Sequence, residues 1–550
     1  MAPNRGKRHQ PKSRTACLTC RKRKLKCGEE RPHCQRCLKA GKMCEGYQML
    51  LIDGAMSVSG RVWTVPPIDG VCISGSASSL LSAFTATADE WQAYRLYTQQ
   101  ISSTLGGPFS LDADLWQRLV LQISRHDAAV RNAIFTLGNF FRHAVQESNN
   151  GQMSTCACRR CVQALRSYNR AIAASFAEQS SANVKDDPVA LNAALTSCAL
   201  FICIEFFRKS DRNAIALIDR GCGMLLQSLR QAPQDLQTSR VDPGLWNLFA
   251  RLRVLSASFG HAGQWQMSPL GNSAPRAIRE PLPPLSDRLE RARNSLYDIL
   301  TAALRLRRRC AETLIPMWPS KRTCVVESVH ELRHEKNLVV SRLRMWYEHF
   351  MGLQTILESA PRESPSSSLP ALILYGHFLQ TKIYAETSLE LSQGRYDQYL
   401  SEFQTVIRVA ERGLRQSLAG DQKYVQMFSF ESCFLGMLYL CTLKCRQPTM
   451  RRQLIDLMRL SSEKEGLWHR GESITVASRV MELEEGRSEF IPAIGTLTRT
   501  ATPLFHDVLC EINYVADGRT LVDVTYVLHQ ERTAEHEWLA MKETLVVVDR

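Results

Sequence analysis

Six cysteines crowd into residues 17–44 of this 550-residue chain: Cys17, Cys20, Cys27, Cys34, Cys37 and Cys44. Their spacing is C-x2-C-x6-C-x6-C-x2-C-x6-C, one unit followed by a near copy of itself. A C-x2-C pair closes two thiolates on one ion from a single turn, and a third cysteine after a short loop adds to the shell. Structural zinc takes four ligands, so six thiolates serve two zinc ions only if two of them bridge. A disulfide framework would need an oxidising compartment, and the leading MAPNRGKRHQPKSR carries charge where a signal peptide needs an apolar core. A module with so few apolar residues cannot build a hydrophobic core, so metal binding must supply its folding energy.

The elements that hold these cysteines are short and basic. Between Cys20 and Cys27 lie Arg21, Lys22, Arg23, Lys24, Leu25 and Lys26, and five positive charges in six residues repel one another on a helix. Zinc ligation at one end and phosphates alongside would offset that repulsion. Residues 1–50 hold fourteen Lys or Arg against three Glu, so they carry +11 of the chain's formal +15. Six thiolates and two Zn2+ change that local charge to about +9. Such a field on so small a module fits a polyanion. The basic arm of residues 1–15, with Arg5, Lys7, Arg8, Lys12 and Arg14, suits either nuclear import or phosphate contact.

The stretch ACLTCRKRKLKCGEERPHCQRCLKAGKMC, residues 16–44, closely resembles the fungal Zn2Cys6 binuclear cluster. All six cysteine positions match, an RKRKLK run separates the second from the third, and Pro32 stands two residues before the fourth. The resemblance implies that Cys17 and Cys34 bridge two zinc ions and that the helix after Cys20 enters the major groove of DNA to read a CGG triplet. Arg23 and Lys24 are then the base readers, since both side chains can donate to guanine O6 and N7. Arg21, Lys22, Lys26 and Lys39 become phosphate contacts that place the helix without choosing the sequence. Leu25 is expected to pack toward the metal core. Glu29 and Glu30 depart from the pattern, because some family members have a basic phosphate contact there.

A short charged helix suits the wide groove of B-form DNA rather than the deep, narrow groove of A-form RNA. No interleaved aromatics offer stacking platforms for single strands in residues 1–44. Double-stranded DNA is therefore the expected partner, and a nuclear regulator of RNA polymerase II genes the expected function. By family habit it would be an activator of a pathway or secondary-metabolite cluster, working with transcription machinery or co-regulators. The alternative is a zinc-stabilised protein-interaction or RNA-binding module. Catalysis is not expected, because six thiolates saturate both ions and leave no position for water.

The rest of the chain reads as a small cluster module (residues 16–46) followed by a large, mainly all-α helical domain. Residues 47–84, rich in Gly and Pro, read as a flexible linker. They lack a sustained heptad, so coiled-coil dimerisation is unsupported and any homodimer would form through the body. Over 85–545, helical periodicity recurs: Trp91, Tyr94, Tyr97; Leu111, Leu115, Leu119, Ile123; Val130, Ile134, Leu137, Phe141; and Leu165, Tyr168, Ile172, Phe176. Residues 188–207 are apolar nearly all round and read as a central buried helix; no membrane span is expected.

Proline-rich stretches near 266–287 and 358–370 read as loops, with Ser286 capping the helix after the first. The segments SYNRAIAAS and CALFICIEFFRKSDRNAIALIDRGCGMLL resemble the fungal-specific regulatory domain often found behind such clusters. Arg307 to Arg309 is expected to be a solvated helix face, and RTLVDVTYVLHQ and ETLVVVDR alternate like strands. His261 and His469 show no catalytic arrangement around them. Cys156, Cys158 and Cys161 resemble a second metal site, but without a spaced fourth ligand they read as reduced thiols.

Overall fold

The computed structural model describes residues 20, 23, 25, 35–40, 56–58, 61–63, 86–106, 109–146, 158–179, 187–231, 241–258, 285–315, 328–359, 369–418, 430, 433–486, 504–511, 513–516, 519–531 and 536–548. The chain divides into a first unit, residues 1–82, and a second, residues 83–550. In the first unit α1 (Gln35–Lys39) is followed by an antiparallel hairpin of β1 (Met56–Val58) and β2 (Arg61–Trp63), with Met56 opposite Trp63. The hairpin lies within the stretch expected to be a linker.

The second unit begins with α2 (Ala88–Leu96), whose start is fixed by a capping box. Glu90 N donates to Thr87 Oγ1, and Thr87 N donates to Glu90 Oε2 at 2.8 Å, so two orphan donors of the first turn are satisfied. A π-helical turn, Tyr97–Ile101, leads into α3 (Ser102–Gly106). After α4 (Ser110–Asp114) a second π turn, Leu115–Leu119, leads into α5 (Val120–Ser124). Long helices follow: α6 (Ala128–Gln146), α7 (Arg159–Gln179), α8 (Pro188–Phe207), α9 (Asp211–Gln231) and α10 (Pro243–Ser258). Asp127 caps α6, accepting from Val130 N at 2.7 Å.

Val130, Ile134, Leu137 and Phe141 of α6 all point inward, as their spacing requires. Gly138 on the same helix passes so close to α2 that a Cβ there would lie 2.3 Å from the Ala93 carbonyl oxygen. On α7 the buried face is Cys161, Ala164, Tyr168 and Ala171, so Tyr168 of the expected stripe points inward and Ile172 packs half-buried against the core, while Leu165 and Phe176 do not. Leu165 and Phe176 are 39% and 58% exposed, because small residues let α7 lie close against α6 and the larger ones are turned to solvent. Helix α8 starts with Asp187 accepting from Val189 N and Pro188 in the first turn, an arrangement that fits the missing proline donor. It is long and apolar enough to cross a membrane, yet 72% of its apolar window is buried against α6, α9 and α10.

The second half adds α11 (Leu285–Leu314), α12 (Val329–Ser359), α13 (Leu369–Glu386), a 3-10 turn at Gln393–Tyr399, α14 (Leu400–Leu418), α15 (Leu435–Lys444), α16 (Pro448–Leu460) and α17 (Arg470–Glu484). Ser286 lies inside α11 rather than capping it, and the proline-rich core of each expected loop falls outside the described residues. A two-residue hairpin, β3 (Lys464–Glu465) with β4 (Trp468–His469), precedes α17.

The chain ends in an antiparallel sheet. β7 (Arg519–Glu531) pairs along one edge with β8 (His536–Val546) and along the other with β5 (Phe505–Cys510) and β6 (Tyr514–Ala516). Val522, Val524, Tyr526 and Leu528 alternate inward onto the second helical core, while Val527 on the opposite face packs with Trp538, Ala311 and Ile315. β7 covers the first stretch expected to be a strand, whereas β8 takes in only residues 543–546 of the second and reaches back to His536; β5 and β6 were not anticipated.

Two hydrophobic cores are joined by residues far apart in sequence. Phe430 and Leu467 belong to the first core, where the Phe430 ring sits 5.4 Å from that of Trp116. Asp211, at the start of α9, accepts from Lys464 Nζ and pairs with His469 Nε2, both at 2.6 Å. Asp112 on α4 accepts from Arg251 of α10 and from Arg293 of α11.

Candidate metal centre and nucleic-acid interface

The Cys20 and Cys37 sulfurs are buried and lie 3.7 Å apart, although seventeen positions separate them. That is far beyond a disulfide bond of about 2.05 Å. It matches the edge of about 3.8 Å between thiolates gathered round tetrahedral zinc. The donor chemistry and spacing at these two positions therefore fit a compact zinc cluster. Cys17, Cys27, Cys34 and Cys44 lie outside the described residues.

The turn after Cys20 is closed when Leu25 N donates to the Cys20 carbonyl at 3.0 Å. Arg23 lies within this turn with its side chain in solvent. Leu25, expected to pack toward the metal, is instead 43% exposed. On α1, Arg36 and Lys39 are exposed three residues apart and so share a face, while Cys37 points into the module. The structure thus presents Arg23 and Lys39 of the expected contacts to solvent, with Arg36 beside Lys39; Arg21, Lys22, Lys24 and Lys26 lie outside the described residues.

Basic residues of the second unit are engaged differently. Arg307 donates to Tyr396 Oη at 3.2 Å and to Asp507 Oδ2 at 3.3 Å, with its guanidinium 5.2 Å from the Tyr384 ring. Arg308 pairs with Glu312 at 2.9 Å, and Arg309 pairs with Glu335. The expected solvated face is thus a set of neutralised ties, with Arg307 drawn inward because β5 delivers Asp507 to it. Around Arg307 the electrostatics are strained. Burial pushes the Lys444 ammonium down to about 8, and it pushes the His506 imidazole down to about 3 with help from Lys444 and Arg307. Tyr396 is lowered to about 8, burial being outweighed by Lys444 and Arg307.

His469 has the Asp211 carboxylate beside it, 2.6 Å from Nε2. Burial pushes the Asp211 carboxyl up, but Lys464 and then His469 outweigh it and hold it well below the usual range. The group is a tie between α9 and the β3–β4 hairpin. His143, in the last turn of α6, meets Cys158 and Cys161 at the start of α7; no signal within the CACRRC motif pointed to this histidine.

Comparison with known proteins follows this division. Residues 15–50 match the fungal Zn(2)-Cys(6) binuclear cluster domain, and residues 93–313 match the fungal specific transcription factor domain. The aspercryptin biosynthesis cluster-specific transcription regulator atnN of Emericella nidulans is 25% identical over 62% of this chain and 55% of its own length. The transcription regulator lscL of Purpureocillium lilacinum is 26% identical over 38% of this chain and 48% of its own. The chain thus spans about half the length of these relatives. White-opaque regulator 2 of Candida albicans is 54% identical over 39 residues, 7% of this chain and 9% of its own. No solved structure matches the chain at a significant level.

The cluster domain holds two zinc ions through six cysteines, and six cysteines are what residues 15–50 contain. The chain thus carries a match to the fungal Zn2Cys6 binuclear cluster domain at its N-terminus and a match to the fungal specific transcription factor domain in the mostly helical region behind it, and relatives that it resembles are fungal transcription regulators.

Proposed function

We propose that the protein is a nuclear, sequence-specific DNA-binding regulator of RNA polymerase II genes that reads a CGG-type triplet in the major groove. The observation that carries this reading is the juxtaposition in residues 20–40: two buried sulfurs 3.7 Å apart, with Arg23, Arg36 and Lys39 exposed around them. Cys17, Cys20, Cys27, Cys34, Cys37 and Cys44 bind the two zinc ions, with Cys17 and Cys34 bridging. Bound zinc supplies the folding energy of the module and fixes the turn after Cys20. Arg23 and Lys24 donate to guanine; Arg21, Lys22, Lys26 and Lys39 grip phosphates.

The body, residues 85–545, regulates and recruits transcription machinery or co-regulators, and pairs two chains if the protein dimerises. The regulated genes form a pathway or secondary-metabolite cluster, a reading supported by relatives named for the biosynthesis of aspercryptin and aurofusarin.

The test is in vitro selection of duplex DNA on the zinc-loaded full-length chain. Enrichment of CGG triplets is the expected result. Two triplets at fixed separation would mean dimerisation through the body, and one triplet a monomer. No enriched sequence would overturn DNA reading and leave an interaction module.

A further inference from the structure

We propose that His143, Cys158 and Cys161 form a further zinc site, in the helical body and additional to the two-zinc cluster. The sequence supplies a C-x2-C pair, Cys158 and Cys161, at the point where α7 begins. The fold supplies what the motif lacked, a histidine fifteen residues upstream in the last turn of α6. The two helices pack along one another, so the end of α6 and the start of α7 converge.

The geometry is that of a nearly assembled site. His143 Nδ1 lies 3.4 Å from Cys158 Sγ, and the three ligand atoms all fall within 4.8 Å of one another. Around one tetrahedral zinc, with nitrogen at about 2.05 Å and sulfur at about 2.3 Å, the N–S edge is about 3.6 Å and the S–S edge about 3.8 Å. Closing the triangle on an ion therefore needs only small side-chain shifts.

His143 and Cys161 are 2% and 1% exposed, whereas Cys158 reaches the surface and leaves a route for an ion and for a water as fourth ligand. Cys161 N donates to Cys158 Sγ at 3.4 Å, which orients the sulfur and supports negative charge on it. Two thiolates and one imidazole favour zinc over hard cations such as magnesium or calcium. Two thiolates cancel the charge of Zn2+, so the ion can sit beside Arg159 and Arg160 without adding net positive charge. Binding releases the two thiol protons and clips α6 to α7 across the connection between them.

The test is metal content of the purified full-length protein after dialysis against metal-free buffer. Three zinc ions per chain are expected for the wild type and two for His143→Ala and for Cys158→Ser/Cys161→Ser. In the reverse experiment, Cys20→Ser/Cys37→Ser disrupts the cluster, and an ion lost only on adding Cys158→Ser must belong to the body. Cobalt substitution gives a second readout: the thiolate-to-cobalt absorption should fall in His143→Ala while far-UV circular dichroism stays unchanged. Two ions in the wild type, unchanged content in His143→Ala, or a native disulfide between Cys158 and Cys161 detected by thiol alkylation would each overturn the site.

Discussion

Asp112 ties α4 to α10 and α11, and replacing it by asparagine gives a sharp test of how the two cores are held together. Its Oδ2 accepts from Arg293 Nη1 at 2.7 Å, and its Oδ1 accepts from Arg251 Nη2 at 2.7 Å and Arg293 Nη2 at 3.2 Å. Arg293 also donates to Glu290 at 3.0 Å and lies 4.0 Å over the Phe109 ring. All four charged groups are buried, so two carboxylates balance two guanidiniums.

Asp112→Asn keeps the shape but leaves two buried guanidiniums facing one carboxylate, which costs about 3–5 kcal/mol. For a body whose whole stability is on the order of 5–15 kcal/mol that is a large share. Burial pushes the Asp112 carboxyl up, but Arg251 and then Arg293 outweigh it and hold it below the usual range. Its stabilisation is therefore complete above the unfolded carboxyl value of about 3.9 and is lost as pH falls through the lower folded value.

Urea unfolding followed by tryptophan fluorescence should show the full loss at pH 7 and a smaller loss below pH 3. Asp112→Asn/Arg293→Gln should lose less than the two single changes added together, because it removes a charge of each sign. A loss under about 1 kcal/mol at pH 7, or strict additivity, would refute the reasoning.

Other outcomes follow from geometry already described. Gly138→Ala should destabilise by about 2 kcal/mol, because the new methyl meets the Ala93 backbone rather than a movable side chain. A higher melting temperature, which helix propensity alone predicts, would show that the close approach is not there. Glu465 accepts from the backbone N–H groups of Cys433, Phe434 and Leu435, so Glu465→Ala should cost about 3 kcal/mol or more. Burial pushes the Glu465 carboxyl up to about 7 against those three donors. Between about 4.3 and 7 this group therefore makes stability fall as pH rises, and Glu465→Gln should flatten that part of the melting-temperature profile.

On the proposed DNA-reading function, Lys24→Ala should cost about 1–3 kcal/mol at the selected site and relax its sequence preference. Arg21→Ala should weaken all duplexes alike, as measured by titration against salt. Equal losses on random DNA for Lys24→Ala, or a selective loss for Arg21→Ala, would reverse these assignments.

Spacing alone was enough to find the cluster, because metal coordination imposes fixed sequence intervals that no packing argument requires. Periodicity found the inward face of α6 for a similar reason: Val130, Ile134, Leu137 and Phe141 are large and repeat at helical intervals. On α7 it found Tyr168 and Ile172 but erred at Leu165 and Phe176, since Ala164 and Ala171 are buried for their smallness and a hydrophobicity count ranks the larger residues above them. Arg307 looked like surface because its partners Tyr396 and Asp507 lie 89 and 200 positions away. Asp112 with Arg293, and Asp211 with Lys464, were invisible for the same reason, as each pair depends on the finished fold. His143 escaped notice because a helix end, rather than a motif, brings it to the cysteines.

The placement of Phe430 and Leu467 in the first core bears on how deletion mapping of this protein should be read. The matched transcription factor domain stops at residue 313, an inviting place to cut. A fragment ending there would leave Trp116 and Phe206 facing the hole vacated by the Phe430 ring, and Asp211 without Lys464 and His469. It would expose apolar surface and a buried carboxylate together, and would be prone to aggregation or proteolysis. Loss of activity in such a truncation would therefore report a broken fold rather than a missing regulatory element. Point changes of exposed side chains, such as Leu165 or Phe176, are the cleaner way to dissect what the body does.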